Sequence, residues 1–112
     1  MSEGIKELTD ESFDSVIEEG LTLVDFWAPW CQPCKMQGPI LESVAKQVDS
    51  DITIAKADVE NNESHAREYG VRGVPTLIIF EDGSPVQEMV GLQDEQTLLD
   101  ALESARSQAA QQ

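Results

Sequence analysis

The only two cysteines in this 112-residue chain sit at positions 31 and 34, within Trp30-Cys31-Gln32-Pro33-Cys34-Lys35. Residues three apart on a helix have Cβ atoms roughly 5–6 Å apart, near the span that a disulfide bridges with modest adjustment. Such a pair can open and close locally and so carry two electrons. Pro33 lacks an N–H and presets φ for a first helical turn. The helix is therefore expected to begin around it, leaving Cys31 at the positive end of the helix dipole, where thiolate is favoured over thiol. Lys35 adds a positive charge, and Trp30 offers an amphipathic aromatic wall for an extended substrate backbone. On this reading Cys31 is the nucleophile. Cys34, one turn further in, is the resolving thiol that attacks a mixed disulfide and frees the product.

Other uses of the pair fit less well. A structural zinc site takes four Cys or His ligands, and beyond the two cysteines the chain offers only His65, so no metal is expected. Covalent haem needs His directly after the second cysteine, where Lys35 stands. A purely structural disulfide around two residues would restrict the unfolded chain little. His65 itself reads as an exposed helix residue without a role.

The chain's 40% apolar content in 112 residues suits a single domain with one core. Residues 1–107 are expected to form it, with 108–112 a disordered tail that begins fraying at Ser107. Met1–Asp10 lacks a basic segment followed by an apolar run, and no stretch reaches membrane-spanning length. The expectation is a soluble cytoplasmic protein whose cysteines cycle in a reducing compartment. Twenty-two acids against seven Lys plus Arg give a net charge of −15, which repels nucleic acid and anionic membranes. The acids run from Glu3 to Glu103 without a long block, marking a globally acidic surface. Self-repulsion on this scale needs screening, which molar salt supplies, and so favours a halophilic source.

The elements that must position the cysteines follow from periodicity. Thr9-Asp10-Glu11-Ser12 reads as an N-cap and acid-rich first turn of a short helix ending near Glu19 and Gly20. Leu21–Trp27 is apolar almost throughout, as in a central strand covered on both faces. A helix follows with Ile40, Leu41, Val44, Ala45 and Val48 as its stripe and Pro39 as an expected kink. Ile52–Asp58 alternates like a strand and should lie parallel to the first, which puts the cysteines at the carboxyl end of a parallel strand, where open α/β sheets carry their sites. Asn62–Tyr69 is a weaker helix. Thr76–Glu81 and Val86–Val90 flank Asp82-Gly83-Ser84 as a hairpin, and a last helix starts at Asp94 with Leu98, Leu99, Leu102 and Ala105 on one face.

Val24-Asp25-Phe26-Trp27-Ala28-Pro29-Trp30-Cys31, Cys34-Lys35, Ala57-Asp58-Val59, Tyr69-Gly70-Val71-Arg72-Gly73-Val74-Pro75-Thr76 and Val90-Gly91 follow one another in this order along the chain. Through these motifs, over nearly its whole length, the chain resembles the thioredoxin family. The resemblance implies an α/β thioredoxin fold, a central five-stranded mixed sheet flanked by four helices. It also implies a protein-disulfide reductase without a cofactor of its own. Its partners would be a thioredoxin reductase, linked to NADPH or ferredoxin, and disulfide-containing target proteins; a monomer is expected. Asp25 matches the family's buried carboxylate that manages the proton of the second cysteine, and an acid within an apolar run is independently expected to have a raised pKa. Lys56 matches the lysine near that carboxylate. Val74-Pro75 resembles the family's cis-proline loop facing the cysteines. Trp30, Gln32, Pro33, Val74, Pro75, Val90 and Gly91 would then contact substrate, with Trp27 packed beneath. Gln32 departs from the family's usual Gly. The competing reading is a non-catalytic interaction module or redox sensor on the same fold, against which stand both cysteines and the buried acid. A glutaredoxin-type reading lacks the Cys-Pro-Tyr-Cys pattern.

Overall fold

The computed structural model describes residues 4–110. Along the chain run β1 (Ile5–Leu8), α1 (Phe13–Ile17), β2 (Leu21–Trp27), α2 (Gln32–Gln47), β3 (Ile52–Asp58), α3 (Glu63–Glu68), β4 (Thr76–Glu81), β5 (Ser84–Val90) and α4 (Glu95–Ala110). The strands form one sheet in the order β1-β3-β2-β4-β5. β3 lies parallel to both β1 and β2, whereas β4 pairs antiparallel with β2 and β5 with β4. The sheet is therefore mixed, with β2 at its centre.

Successive strand side chains alternate between faces, and the core follows that period. Leu21 and Leu23 pack with Leu41 and Val44 of α2 and with Leu98 and Leu102 of α4. Val24 and Phe26 point the other way, to Phe13 and Ile17 of α1 and Ala66 of α3. Asp25 falls in the first set by the same period, on the face covered by the cysteine-bearing helix. Burial on both sides explains why β2 reads as a nearly continuous apolar run.

Several elements depart from the periodic reading. β1 has no counterpart in it: only Ile5 and Leu8 of its four residues face inward, and its middle two are exposed, as befits an edge strand. α1 is shorter than expected, since residues 10–12 form a turn in which Thr9 O accepts the N–H groups of Ser12 and Phe13. α2 continues through Pro39. β5 begins at Ser84, opposite Glu81, because Asp82 and Gly83 make a two-residue turn with positive φ at both positions, the conformation that suits twisted hairpins. α4 starts as expected, Thr97 N–H donating to Asp94 Oδ1 at 2.8 Å. It is helical to Ala110, past the Ser107 at which the tail was expected to begin; Gln111 and Gln112 lie outside the described residues.

His65 is buried, not exposed, with 6% of its surface accessible. Its ring stacks on Phe13 at 4.2 Å. Nδ1 lies 2.5 Å from Asp10 Oδ1 and Nε2 2.9 Å from Asp14 Oδ1. A carboxylate only accepts, so a protonated ring, whose two nitrogens both donate, satisfies both contacts at once. Asp10, read from sequence as part of a helix start, instead accepts the backbone N–H groups of Ser64 and His65 at the head of α3. Burial opposes the charge on His65, but its hydrogen bonds to Asp10 and Asp14 outweigh that and hold its pKa above 6.5. Asp10 is held below its ordinary value of 3.8, chiefly by its hydrogen bond with His65. Tyr69, also against the ring, is raised by burial, then by Glu68 and Asp14, and stays neutral through this range. A raised histidine stabilises the fold below its unfolded pKa and stops doing so as pH rises through its folded pKa; a lowered aspartate contributes above its unfolded pKa and is lost as pH falls through its folded one. The clamp therefore contributes most between about pH 4 and pH 6.5. Urea unfolding should show His65→Gln losing more stability at about pH 5.5 than at about pH 9, and equal losses would mean the ring is neutral.

The ion pairs among the described residues join His65 to Asp10 and Asp14, and Arg106 to Asp49 and Asp51. Those few pairs leave most of the excess of 22 acids over seven Lys plus Arg uncompensated by contact. Repulsion acts more on the compact state than on the expanded chain, and added cations screen it. Thermal melts from dilute to molar potassium chloride should raise the midpoint by more than the roughly 4–8 °C that a 1 kcal/mol change produces in a domain near this size. Sucrose controls for general solute exclusion. A flat midpoint across the salt series would remove the inference of salt adaptation.

Candidate active site

β2 delivers the chain to the cysteines and α2 orients them. Cys31 is the N-cap of α2, with extended backbone angles, and Pro33 occupies the first turn. Its sulfur accepts the Cys34 N–H at 3.2 Å, one of the donors that a helix start leaves without an intrahelical partner. Cys31 and Cys34 are disulfide-bonded, with Cα atoms 5.3 Å apart. Across the groove the Val74 carbonyl oxygen stands 3.6 Å from Cys31 Sγ. Once the disulfide opens, a thiolate at position 31 keeps the Cys34 N–H and the helix dipole as stabilising partners. Exposure hardly separates the two sulfurs, since Cys31 is 5% and Cys34 3% accessible; the helix cap is what distinguishes them.

Asp25 is fully buried, and neither of its carboxylate oxygens has a hydrogen-bond partner. Desolvation pushes its pKa up from 3.8 to about 7, against a smaller lowering by Lys56. That lysine is Asp25's register partner on β3. It is half-buried, and its Nζ sits over the Trp27 ring, 4.3 Å from the centroid, a cation–π contact. Trp27 in turn packs with Val59 and Val74 around Ala28 and the two cysteines. The uncompensated carboxylate, the lysine and the cysteine helix thus share one face of the sheet.

The expected substrate residues differ in accessibility. Trp30 and Val90 are each 69% exposed, and Gln32 and Pro33 are exposed beside the cysteines. Val74 and Gly91 are half-buried, and Pro75 is buried. The Val74–Pro75 bond is cis. Gly91 N–H donates to Pro75 O at 2.8 Å, which ties the end of β5 to the proline loop. Beside Trp30 lies a shallow groove of about 170 Å³ whose walls include Val59, Val71, Arg72, Gly73 and Val74. Arg72, Val59 and the exposed Met36 and Leu92 were not singled out as site residues from sequence. Arg72 and Gly73 lie inside the motif that runs from Tyr69 to Thr76, a signal sufficient to include them.

The thioredoxin family model matches residues 4–104. A thioredoxin of Staphylococcus epidermidis is 50% identical over 99 residues, covering 88% of this chain and 95% of the relative. One from Staphylococcus aureus is 48% identical over the same length and shares. Among solved structures, a mutant thioredoxin from Halobacterium salinarum NRC-1 matches with a TM-score of 0.83 at 43% identity, covering 92% of this chain and 91% of that one. The matched residues 4–104 take in all five strands, α2 with its cysteine pair and most of α4. The chain therefore belongs to the thioredoxin family, as a protein-disulfide oxidoreductase that works through reversible exchange at Cys31 and Cys34.

Proposed function

We propose that Cys31 attacks and Cys34 resolves, that Asp25 serves as the proton acceptor for Cys34, and that electrons flow outward to target proteins. The observation that carries this is Cys31's place as the N-cap of α2, its sulfur held by the Cys34 N–H. The Cys31 thiolate attacks one sulfur of a target disulfide, forming a mixed disulfide and releasing the other as thiolate. Cys34, its proton passed to Asp25, then attacks Cys31 Sγ. The target leaves as a dithiol and the Cys31–Cys34 bond forms, so two electrons have moved. Lys56 favours the ionised form of Asp25, the form that accepts the Cys34 proton.

Exposed Trp30, Gln32, Pro33 and Val90, together with Val74, Pro75 and Gly91, would form the docking surface, an apolar patch on an otherwise acidic molecule. A thioredoxin reductase would restore the dithiol. Among the described residues no helix is long and apolar enough to cross a membrane, and cytoplasmic action as a monomer, with residues 1–107 as the working domain, completes the reading. Equilibrating the Cys31–Cys34 couple in glutathione buffers tests the direction of flow. A couple more reducing than the glutathione pool is expected, and one more oxidising would reverse it, making the chain a disulfide donor.

A further inference from the structure

Gln37 stands one turn beyond Cys34 on the buried face of α2, completely inaccessible, in line with Cys34, Leu41 and Val44. A buried amide is costly unless its hydrogen bonds are made, and this one makes two, both to the backbone of a single residue. Gln37 Nε2 donates to Gln93 O at 2.9 Å, and Gln93 N–H donates to Gln37 Oε1 at 2.8 Å. The Gln93 side chain then turns back. Its Nε2 donates to Val90 O and to Gly91 O, each at 3.1 Å. Gly91, with φ +91°, is meanwhile fixed to Pro75 O by its own N–H.

We infer that Gln37 and Gln93 are positioning residues that hold the Val90–Leu92 ledge at a fixed height beside the cysteines, so that protein substrates can dock. This rests on the proposed docking role of Val90 and Gly91. The ledge runs from the last residue of β5 into the loop before α4, so beyond Val90 its backbone has no ladder or helix to satisfy it. Gln37 fixes the Gln93 backbone from the same helix that carries Cys31 and Cys34, and the Gln93 amide in turn supplies a partner to Val90 O and Gly91 O, which links the cysteine pair and the ledge. Neither glutamine touches a reacting atom. Their effect is on how well an extended polypeptide finds the surface, and a small disulfide that needs no ledge is indifferent to them.

The test compares Gln37→Met, which keeps the side-chain length but makes neither bond, with Gln93→Ala, which spares the backbone pair and removes only the bonds to Val90 and Gly91. For reduction of insulin, Gln37→Met should raise KM by roughly three- to tenfold with little change in kcat, since a buried hydrogen-bonded pair is left unmatched. Gln93→Ala should raise it less. Reduction of the small aromatic disulfide dithiobis(nitrobenzoate) should stay within about twofold for both, because the cysteines themselves are unaltered. Amide hydrogen exchange at Gly91 and Gln93 should accelerate in Gln37→Met while the β2 amides stay protected. Unchanged insulin KM in Gln37→Met, or an equal loss on both substrates, would overturn the inference. A Val90→Asp control separates the two layers: if it too leaves insulin KM unchanged, the docking role of the ledge fails; if it raises KM while Gln37→Met does not, only the bracket fails.

Discussion

Cys31→Ser will leave reduction of protein disulfides at background, whereas Cys34→Ser will still attack and then stall as a covalent adduct with its target. The two losses differ in kind because the steps differ. Attack on the target needs a thiolate at the helix cap, where the Cys34 N–H and the dipole stabilise it. Resolution needs a second thiol close enough to reach Cys31 Sγ, and the 5.3 Å between Cα atoms meets that condition. Replacing sulfur by hydroxyl at position 34 keeps the donor N–H and the fold, so attack survives and release does not. Mass spectrometry on variants incubated with an oxidised target should find the target's mass added to Cys34→Ser. Adducts on Cys31→Ser and none on Cys34→Ser would exchange the two roles.

The grounds for that proposal lie in local spacing, which the sequence shows before any coordinates. Cys31, Pro33 and Cys34 lie within one turn, and helix capping depends on neighbours in sequence. β2 and β3 were likewise legible with their observed bounds, β2 as the apolar run of a strand buried on both faces and β3 by its alternation. Asp25 stood out inside such a run, and its unpartnered burial is the physical content of that anomaly.

What escaped the sequence depends on distant partners. β1 shows only two inward residues, too few for a period, and is a strand because β3 offers it a parallel edge. His65 sits in a six-residue helix with little apolar character, and what buries it is Phe13, Asp10 and Asp14, more than 50 residues upstream. Such a pairing leaves no local trace. Gln37 is a different failure. It lies four residues before Leu41 and three after Cys34, on the very stripe that the apolar period defines, so a polar residue at a core position was there to be noticed. Its partner, the backbone of Gln93, was not.

Asp25→Asn should stabilise the protein at alkaline pH and slow it at neutral pH. The folded carboxyl titrates near 7 instead of 3.8, so between those values the folded state binds the proton that the unfolded state has released. Stability attributable to this group therefore falls as pH rises from about 4 to about 7 and is flat above. The gap corresponds to roughly 4 kcal/mol at full ionisation, which a neutral amide of equal size avoids. Urea unfolding should accordingly find the variant about 2–4 kcal/mol more stable at about pH 9 and indistinguishable near pH 4. Turnover should move the other way. With Asp25 as acceptor, the wild type resolves the mixed disulfide fully once that group ionises, whereas the variant depends on hydroxide. Its deficit is then largest at and below neutrality and closes in alkali. A pH–rate profile for insulin reduction that is identical in the two proteins would leave Asp25 without a catalytic part. A stability gain that persists unchanged to pH 4 would show that the carboxyl's charge is not what the fold pays to bury.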